Sequence, residues 1–503
     1  MNRRKFIKLS ASAAIPLYLS SCHKKTAPPK YDIEIHSDIK AGHLVFESES
    51  FKLSETLTTE TLIVGGGISG LSAANQLQSK DFLLCELSDR LGGSSASHEF
   101  NNTTFTQGAH YELAYPQNYG ENGLSFLEKL NIIHWNPSSQ LWEFNDKQYL
   151  INESNESRCM IDGEFRKDAL PAIPLTKKFY QHLKQYSGKM PMPSSQIHPT
   201  FHKLNNITFT DYLKNFLSLT HEFIQGLDYH MMDDYGAKAN QVSALAGIHY
   251  YKCRPYDEQP IPLFSPPEGN AYFTKKFSNA LPVEAILTQH LVKRIKAIKG
   301  GFETEIIDVE NRSIKKVTSK KVIYAGQKHA LKYIYPEDRD LFANNIYAPW
   351  ITMNFVIDPN FNPSGFWQNE MITDQKSFLG FVDSNAQYST PDTSRILTLY
   401  YCFPPKDRNL LANIETTSSK IITQAINHLE SYFNRDLKPL IQKVFINAMG
   451  HAMPIPIPNY LLNDKNKTRS NPNLVYAGVD NSRLPLLFEA IDSGIVAANL
   501  INL

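Results

Sequence analysis

The run Gly65-Gly66-Gly67-Ile68-Ser69-Gly70 has the spacing G-x-G-x-x-G, and Glu86 follows Gly65 by 21 positions. Those residue types at that spacing suit a dinucleotide. Gly65 permits a tight turn, Gly67 lets backbone approach a pyrophosphate, and Gly70 lets a helix lie against a strand. The N–H groups of Ile68 and Ser69 head that helix, whose positive dipole end favours phosphate. Glu86 is placed to accept hydrogen bonds from both ribose hydroxyls. It would repel a 2′-phosphate, which disfavours NADP. A glycine turn without a ligand is the bland alternative. It loses ground because the preceding strand, the following helix and the acid all occur together.

Those contexts are read from the flanking residues. Leu62-Ile63-Val64 is a short apolar run ending in glycines, as a buried parallel strand would be. Ile68, Leu71, Ala74 and Leu77 recur at helical spacing, Asp81 marks a turn, and Phe82-Leu83-Leu84-Cys85 reads as a second buried strand. The unit is strand–helix–strand.

The residues after Glu86 distinguish among dinucleotides. Asp89-Arg90-Leu91-Gly92-Gly93-Ser94 resembles the flavin-containing amine oxidase superfamily, which also holds protoporphyrinogen oxidase and phytoene desaturase. The resemblance implies FAD, with Arg90, Gly92, Gly93 and Ser94 packed over its pyrophosphate and ribityl chain. Gly108-Ala109-His110-Tyr111 is similar to the superfamily's segment beside the isoalloxazine ring, and Leu291-Val292 to the strand whose backbone meets the adenine. Ala477-Gly478-Val479-Asp480 with Phe488-Glu489-Ala490-Ile491 is similar to the C-terminal FAD motif, where a helix N-terminus points at the flavin. Here Val479 stands where that motif places its acid, so Asp480 is carried over as the ribityl contact across one extra residue. Asp233-Asp234-Tyr235-Gly236, Gly247-Ile248-His249-Tyr250, Pro267-Glu268-Gly269-Asn270 and Gly450-His451-Ala452-Met453-Pro454 resemble signatures of exported or anchored FAD oxidoreductases.

The implied fold is α/β. A Rossmann-like FAD-binding domain is expected from residues 59–150, 265–345 and 445–503, and a discontinuous α+β substrate domain from 151–264 and 346–444. Residues 346–403 read as strands, with alternation in Ile396-Leu397-Thr398-Leu399-Tyr400.

Few residues stand out for chemistry at a reacting atom, because a flavin carries the hydride itself. His110 and His451 are the candidates. For His110 a reacting role and a packed imidazole are both open, while for His451 a structural role is favoured. His249 reads as a core histidine. Asp233 and Asp234 are neighbours on a helix, so one is expected at a cavity and the other at a cap or salt bridge. Glu489 suits the start of the last helix as a plain acid, with catalysis as its alternative. Glu268 and Asn270 read as support for the FAD site. The superfamily's lysine beside the flavin has no match in the strands 346–403, so amine oxidation does not follow from the residues.

The N-terminus carries an address. Arg3-Arg4 before Phe6 and an apolar stretch from Leu9 to Leu19 resembles a twin-arginine export signal, and Leu19-Ser20-Ser21-Cys22 a bacterial lipobox. Residues 1–22 are therefore expected to form the signal with its lipobox, cleaved before Cys22, which then carries lipid as the first residue, and 23–58 to hold a Pro-rich tether and a mixed segment. The expected location is the periplasmic side, held by a lipid anchor alone. Loss of Arg3, Arg4, Lys5 and Lys8 turns a formal net charge of +1 weakly negative. With no basic stripe, nucleic acid is excluded as a partner. The composition, 42% hydrophobic and 20% charged over 503 residues, excludes general disorder. Cys85, Cys159, Cys253 and Cys402 form no C-x-x-C pair, so no metal is expected. A G-x-S-x-G elbow and an H-E-x-x-H helix are both missing from the sequence, which removes the common hydrolases.

The function expected is an exported FAD oxidoreductase that takes a hydride from a small organic substrate, an amine being one class. Its electron acceptor is O2 or a membrane or periplasmic carrier. A flavin- or ligand-binding lipoprotein without turnover is the alternative. A nicotinamide dehydrogenase is disfavoured by Arg90-Leu91-Gly92-Gly93.

Overall fold

The computed structural model describes residues 31–47, 51–151, 157–253, 262–361, 366–373, 377–387 and 394–502. The expected signal over 1–22, with Cys22, and residues 23–30 of the tether lie outside the described residues. In chain order the site is built by β1 (Asp32–His36), β2 (Lys52–Val64), α1 (Ile68–Gln76), β3 (Phe82–Cys85), β4 (Ser157–Ile161), β5 (Glu164–Arg166), α2 (His221–Tyr235) and α3 (Ala244–Cys253). There follow β6 (Ile286–Leu287), β7 (His290–Ile298), β8 (Gly301–Asp308), β9 (Ser313–Tyr324), β10 (Tyr347–Ile357), β11 (Gln368–Ile372) and β12 (Phe378–Asp383). Last come β13 (Arg395–Cys402), α4 (Ile414–Phe433), β14 (Ile441–Pro454), β15 (Leu474–Tyr476) and α5 (Leu487–Asn502).

The first sheet has the order β6–β3–β2–β9–β8–β7, with β15 beside β9. Its core strands β3, β2, β9 and β15 run parallel, and β7–β8–β9 is an antiparallel meander. Parallel strands are buried on both faces, which is why Leu62-Ile63-Val64 and Phe82–Cys85 are unbroken apolar runs. Ile63 and Leu84 pack under α1 and α5, while Leu62, Val64, Leu83 and Cys85 pack on the other face with Tyr324 and Tyr476. α1 and α5 touch closely: a Cβ on Gly494 would lie 2.2 Å from the Ser69 carbonyl oxygen.

The second sheet has the order β1–β14–β10–β13–β12–β11–β4–β5. Its faces divide by the strand period of two. Ile351, Met353 and Phe355 of β10 join a core with Ile422, Ala425, Ile426 and Leu429 of α4. The alternate residues Trp350 and Thr352 face a cavity.

Two expectations change. The mixed segment is part of the body, because β1 pairs in parallel with β14, from Asp32 opposite Lys443 to His36 opposite Asn447. The domain edges at 58/59 and 444/445 fall inside β2 and β14, because each strand is one continuous ladder. The strand expected over Ile396–Tyr400 is part of β13, and Ile396 to Leu399 are all buried, because both faces of the sheet are covered. The four cysteines Cys85, Cys159, Cys253 and Cys402 are buried. Among the described residues no helix is long and apolar enough to cross a membrane.

Candidate active site

The glycine loop turns where the motif requires it. Gly65 has φ +101°, and Gly67 caps α1 in extended conformation. A Cβ on Gly70 would meet the Gly65 carbonyl oxygen at 1.9 Å, so only hydrogen fits there. A Cβ on Gly67 would meet nothing within 4 Å, so this side of the loop opens onto space. The Arg-x-Gly-Gly segment lies on that loop: the Gly92 N–H donates to the Gly66 carbonyl at 2.9 Å. Gly92 and Gly93 have φ of +111° and +57°, which favours glycine at both.

The space beside Gly67 is one end of a cavity of about 450 Å³, within the size range of small-molecule sites. Its wall continues through Ile68, Ser69, Gly92, Gly93 and Ser94, then Gly108, Ala109 and His110. Gly478, Asp480 and Ala490 also line it, with Trp350, Tyr400 and His451 contributed by strands of the second sheet. The N-termini of α1 and α5 therefore reach one cavity, joined by the Ser69 hydroxyl donating to the Ala490 carbonyl at 2.8 Å. The residues fit a dinucleotide. The open face of Gly67 leaves room at a helix N-terminus, where backbone N–H groups and the dipole favour phosphate.

Other expected cofactor residues are placed behind the wall. Glu86 folds across the loop and accepts from the Gly66 N–H at 2.6 Å and the Ser88 N–H at 2.8 Å. Burial raises its pKa, although these backbone donors oppose the shift. Arg90 turns toward the Ser97 carbonyl and the Nδ1 of His98, at 3.0 and 2.7 Å. Val292 is buried with Leu62 and Leu83 beneath the first sheet, where the pairing of β7 with β8 bulges. Glu489 is wholly buried and accepts from the Ser194 N–H at 2.5 Å, with Arg483 Nη1 3.4 Å from its other oxygen. Asp480 reaches the cavity wall, but both its oxygens are engaged by Lys328 and Tyr347.

His110 is buried between the edges of Trp367 and Tyr400, and its Nε2 meets no hydrogen-bond partner among the described residues. Burial pushes its pKa down to about 3, so the imidazole facing the cavity is neutral. His451 stacks on His329 with ring centres 3.5 Å apart and 8° between planes. Burial, with His329 and Arg408 beside it, lowers its pKa to about 3. His249 is buried and its Nε2 lies 2.9 Å from the Pro191 carbonyl, the core placement expected. Asn270 lines the cavity and its N–H donates to the Ala109 carbonyl at 2.8 Å, so the Pro267–Asn270 turn braces the flavin-side segment.

Asp233 and Asp234 correct one expectation, since both line the cavity. They end α2, and the wall wraps the last turn of that helix before Gly236, at φ +71°, turns the chain away. Among the described lining residues there is no lysine or arginine.

Several residues at the site gave no motif. Thr352, Asn354 and Asn447 are polar positions inside apolar strands, and that contrast is the signal they carried. They hold the loop leading to His110: Thr352 Oγ1 donates to the Gln107 carbonyl at 2.6 Å, and Asn354 Nδ2 to the Thr106 carbonyl at 3.0 Å. Asn447 Oδ1 lies 2.8 Å from Nε2 of His98, which ties that loop to Arg90. Lys328 was missed as well, as one lysine among many in a polar turn.

The NAD(P)-binding Rossmann-like domain family matches residues 63–130. No curated protein matches the chain. Among solved structures, an engineered putrescine oxidase is similar at TM-score 0.61 and 14% identity, over 89% of this chain and 99% of that one. A protoporphyrinogen oxidase from Exiguobacterium sp. 255-15 is similar at 0.61 and 14%, over 90% and 99%. Cyclohexylamine oxidase from Brevibacterium oxydans IH-35A is similar at 0.59 and 15%, over 88% and 98%. At such identities the likeness is one of fold. With the glycine loop, the Arg-x-Gly-Gly segment and the C-terminal helix converging on one cavity, the chain has the fold of the FAD-dependent amine oxidase superfamily.

Proposed function

We propose that this protein is an exported, lipid-anchored FAD-dependent oxidoreductase that takes a hydride from a small organic substrate, with amines the first class to test. The observation that carries the reading is the single cavity that runs from the open face of Gly67 to the His110, Trp350 and Tyr400 chamber. FAD, when bound, supplies the two-electron acceptor.

The chain's own residues do the rest. The α1 N-terminus and the glycines of 65–70 and 92–93 accept a pyrophosphate. The neutral His110 offers Nε2 to a bound molecule without bringing a charge. Asp233 and Asp234 add carboxylates at the C-terminal, negative end of α2, which favours a cationic substrate. The aromatic walls exclude water and suit an ammonium or a planar conjugated group. Arg3-Arg4 and Cys22 support export and a lipid anchor on the periplasmic side. The electron acceptor is then O2 or a membrane or periplasmic carrier.

A second reading, a flavin- or ligand-binding lipoprotein without turnover, draws on the described lining, which holds no lysine. The test is the visible spectrum of the protein purified from Cys22 onward, followed by anaerobic mixing with primary, secondary and polyamines. Flavin bands that bleach on mixing support the oxidoreductase. Flavin that no substrate reduces supports the binding protein. A colourless chain that takes up no added FAD overturns both flavin readings.

A further inference from the structure

Lys328 is the most enclosed cation beside the cavity. Its side chain is fully buried, in the turn that follows β9. Its ammonium has three N–H donors, and each has an acceptor: the Gly326 carbonyl at 2.9 Å, the Ala477 carbonyl at 2.6 Å and Asp480 Oδ1 at 3.1 Å. Its backbone N–H donates to Asp480 Oδ2 at 2.8 Å. Asp480 Oδ2 also accepts from the Tyr347 hydroxyl at 3.1 Å, and the Asp480 carbonyl accepts from Asn345 Nδ2 at 2.7 Å. Lys328 thus ties the end of β9, the end of β15 and the carboxylate beyond Gly478 into one unit.

That unit stands at the wall. An added Cβ on Gly478 would lie 3.1 Å from Lys328 Nζ and 2.9 Å from Asp480 Oδ1. Gly478 and Gly326 both line the cavity. A buried ion pair is costly to assemble and gives little net stability, so its use is sought in specificity or position. Here the pair borders Gly478, at φ +123°, through the carbonyl of Ala477 before it and the carboxylate of Asp480 beyond it.

We propose that Lys328, paired with Asp480, is a positioning residue for the flavin. It holds the Ala477–Val479 turn against the cofactor and sets two opposed fixed charges there, Asp480 in the wall and Lys328 behind it. The proposal rests on the flavin reading above. Its electrostatic consequence is specific. Lys328→Met leaves the Asp480 charge alone in the wall, which disfavours adding electrons to the flavin. Asp480→Asn leaves the ammonium alone, which favours it.

The experiment uses the full mature chain with FAD. Binding is measured by titrating FAD into protein stripped of flavin, and the midpoint potential by anaerobic dye titration at neutral rather than alkaline pH, because burial lowers the Lys328 pKa from its ordinary value. Both single variants are expected to bind FAD at least about tenfold more weakly. Their potentials move in opposite directions, negative for Lys328→Met and positive for Asp480→Asn, and the double variant returns toward the wild-type value. A purely structural ion pair lowers affinity without opposed potentials, so potentials that do not move, or that move together, overturn the proposal. Unchanged FAD affinity in both variants also overturns it. Should Lys328→Met fail to fold, Asp480→Asn decides by the sign of its shift. A wild-type chain that binds no FAD instead overturns the flavin reading beneath it.

Discussion

The Cβ that any other residue would place on Gly70 falls 1.9 Å from the carbonyl oxygen of Gly65. Three residues earlier, a Cβ on Gly67 would meet nothing within 4 Å. Two glycines of one motif therefore serve different ends. Gly70→Ala is expected to cost about 1–3 kcal/mol of folding stability or more, because backbone must move. Gly67→Ala keeps stability within about 1 kcal/mol, since its φ of −72° suits alanine, yet it fills the face offered to phosphate. Thermal melts with and without FAD separate them. A Gly67→Ala protein that binds FAD as wild type does would remove the loop from the cofactor site.

His98 and His110 make folding acid-sensitive. Burial, joined for His98 by the Arg90 cation, pushes each pKa down to about 3. An unfolded histidine titrates near about 6.5. Between those values the unfolded chain binds more protons, so stability falls as pH drops. It is full above pH of about 6.5, and each unit below removes up to ~1.4 kcal/mol per histidine. Melting temperature is expected to fall steeply from about pH 6.5 to about 4.5, and His98→Gln is expected to make that slope shallower. An unchanged slope would place the acid sensitivity elsewhere.

Asp233 and Asp234 bear on the substrate. With both carboxylates on the wall at the end of α2, Asp233→Asn and Asp234→Asn are expected to raise KM for a cationic amine about tenfold in at least one case. KM for a neutral substrate should move far less. Equal effects on cationic and neutral substrates would argue that the acids shape the wall rather than read charge.

β1 is an edge strand that seals β14. Ile33 and Ile35 pack on the core that includes Val444 and Ile446, and the ladder runs from Asp32 to His36. Deletion of residues 31–37 is expected to cost ~2–3 kcal/mol from lost apolar burial. It also bares the edge of β14 to pairing with other chains. Light scattering on the truncated protein checks this. A monomer that melts as the full chain does would show the strand to be dispensable.

What could be read in advance followed contact range. The glycine loop, β2, α1 and β3 are consecutive, so spacing and apolar runs displayed them. β1 and β14 are separated by some four hundred residues, and nothing local in Asp32-Ile33-Glu34-Ile35-His36 names its partner. Lys328 meets Asp480 only because β9 and β15 lie side by side, so nothing local in its turn marked it. The Ile396–Tyr400 alternation showed a strand but not what covers it: α4 lies on one face of that sheet and the cavity segment Thr106–Gly108 packs on the other. Asp233 and Asp234 read as diverging because helix geometry alone ignores a cavity that wraps a helix end.

Glu489 tests the difference between a buried acid and a catalytic one. It is wholly buried behind Ala490, bonded to the Ser194 N–H, and paired with Arg483, which also contacts Asp492 at 2.6 Å. Ala490 lines the cavity, but Glu489 does not. In Glu489→Gln the amide oxygen can still accept from Ser194, and Asp492 still neutralises Arg483. The loss is then a charge-assisted bond, worth about 1–3 kcal/mol of stability. A general acid or base would instead lose about 10²–10⁴-fold in rate. The expected outcome is a lowered melting temperature with turnover reduced only by a few fold. A collapse of kcat at unchanged stability would return Glu489 to the reacting centre.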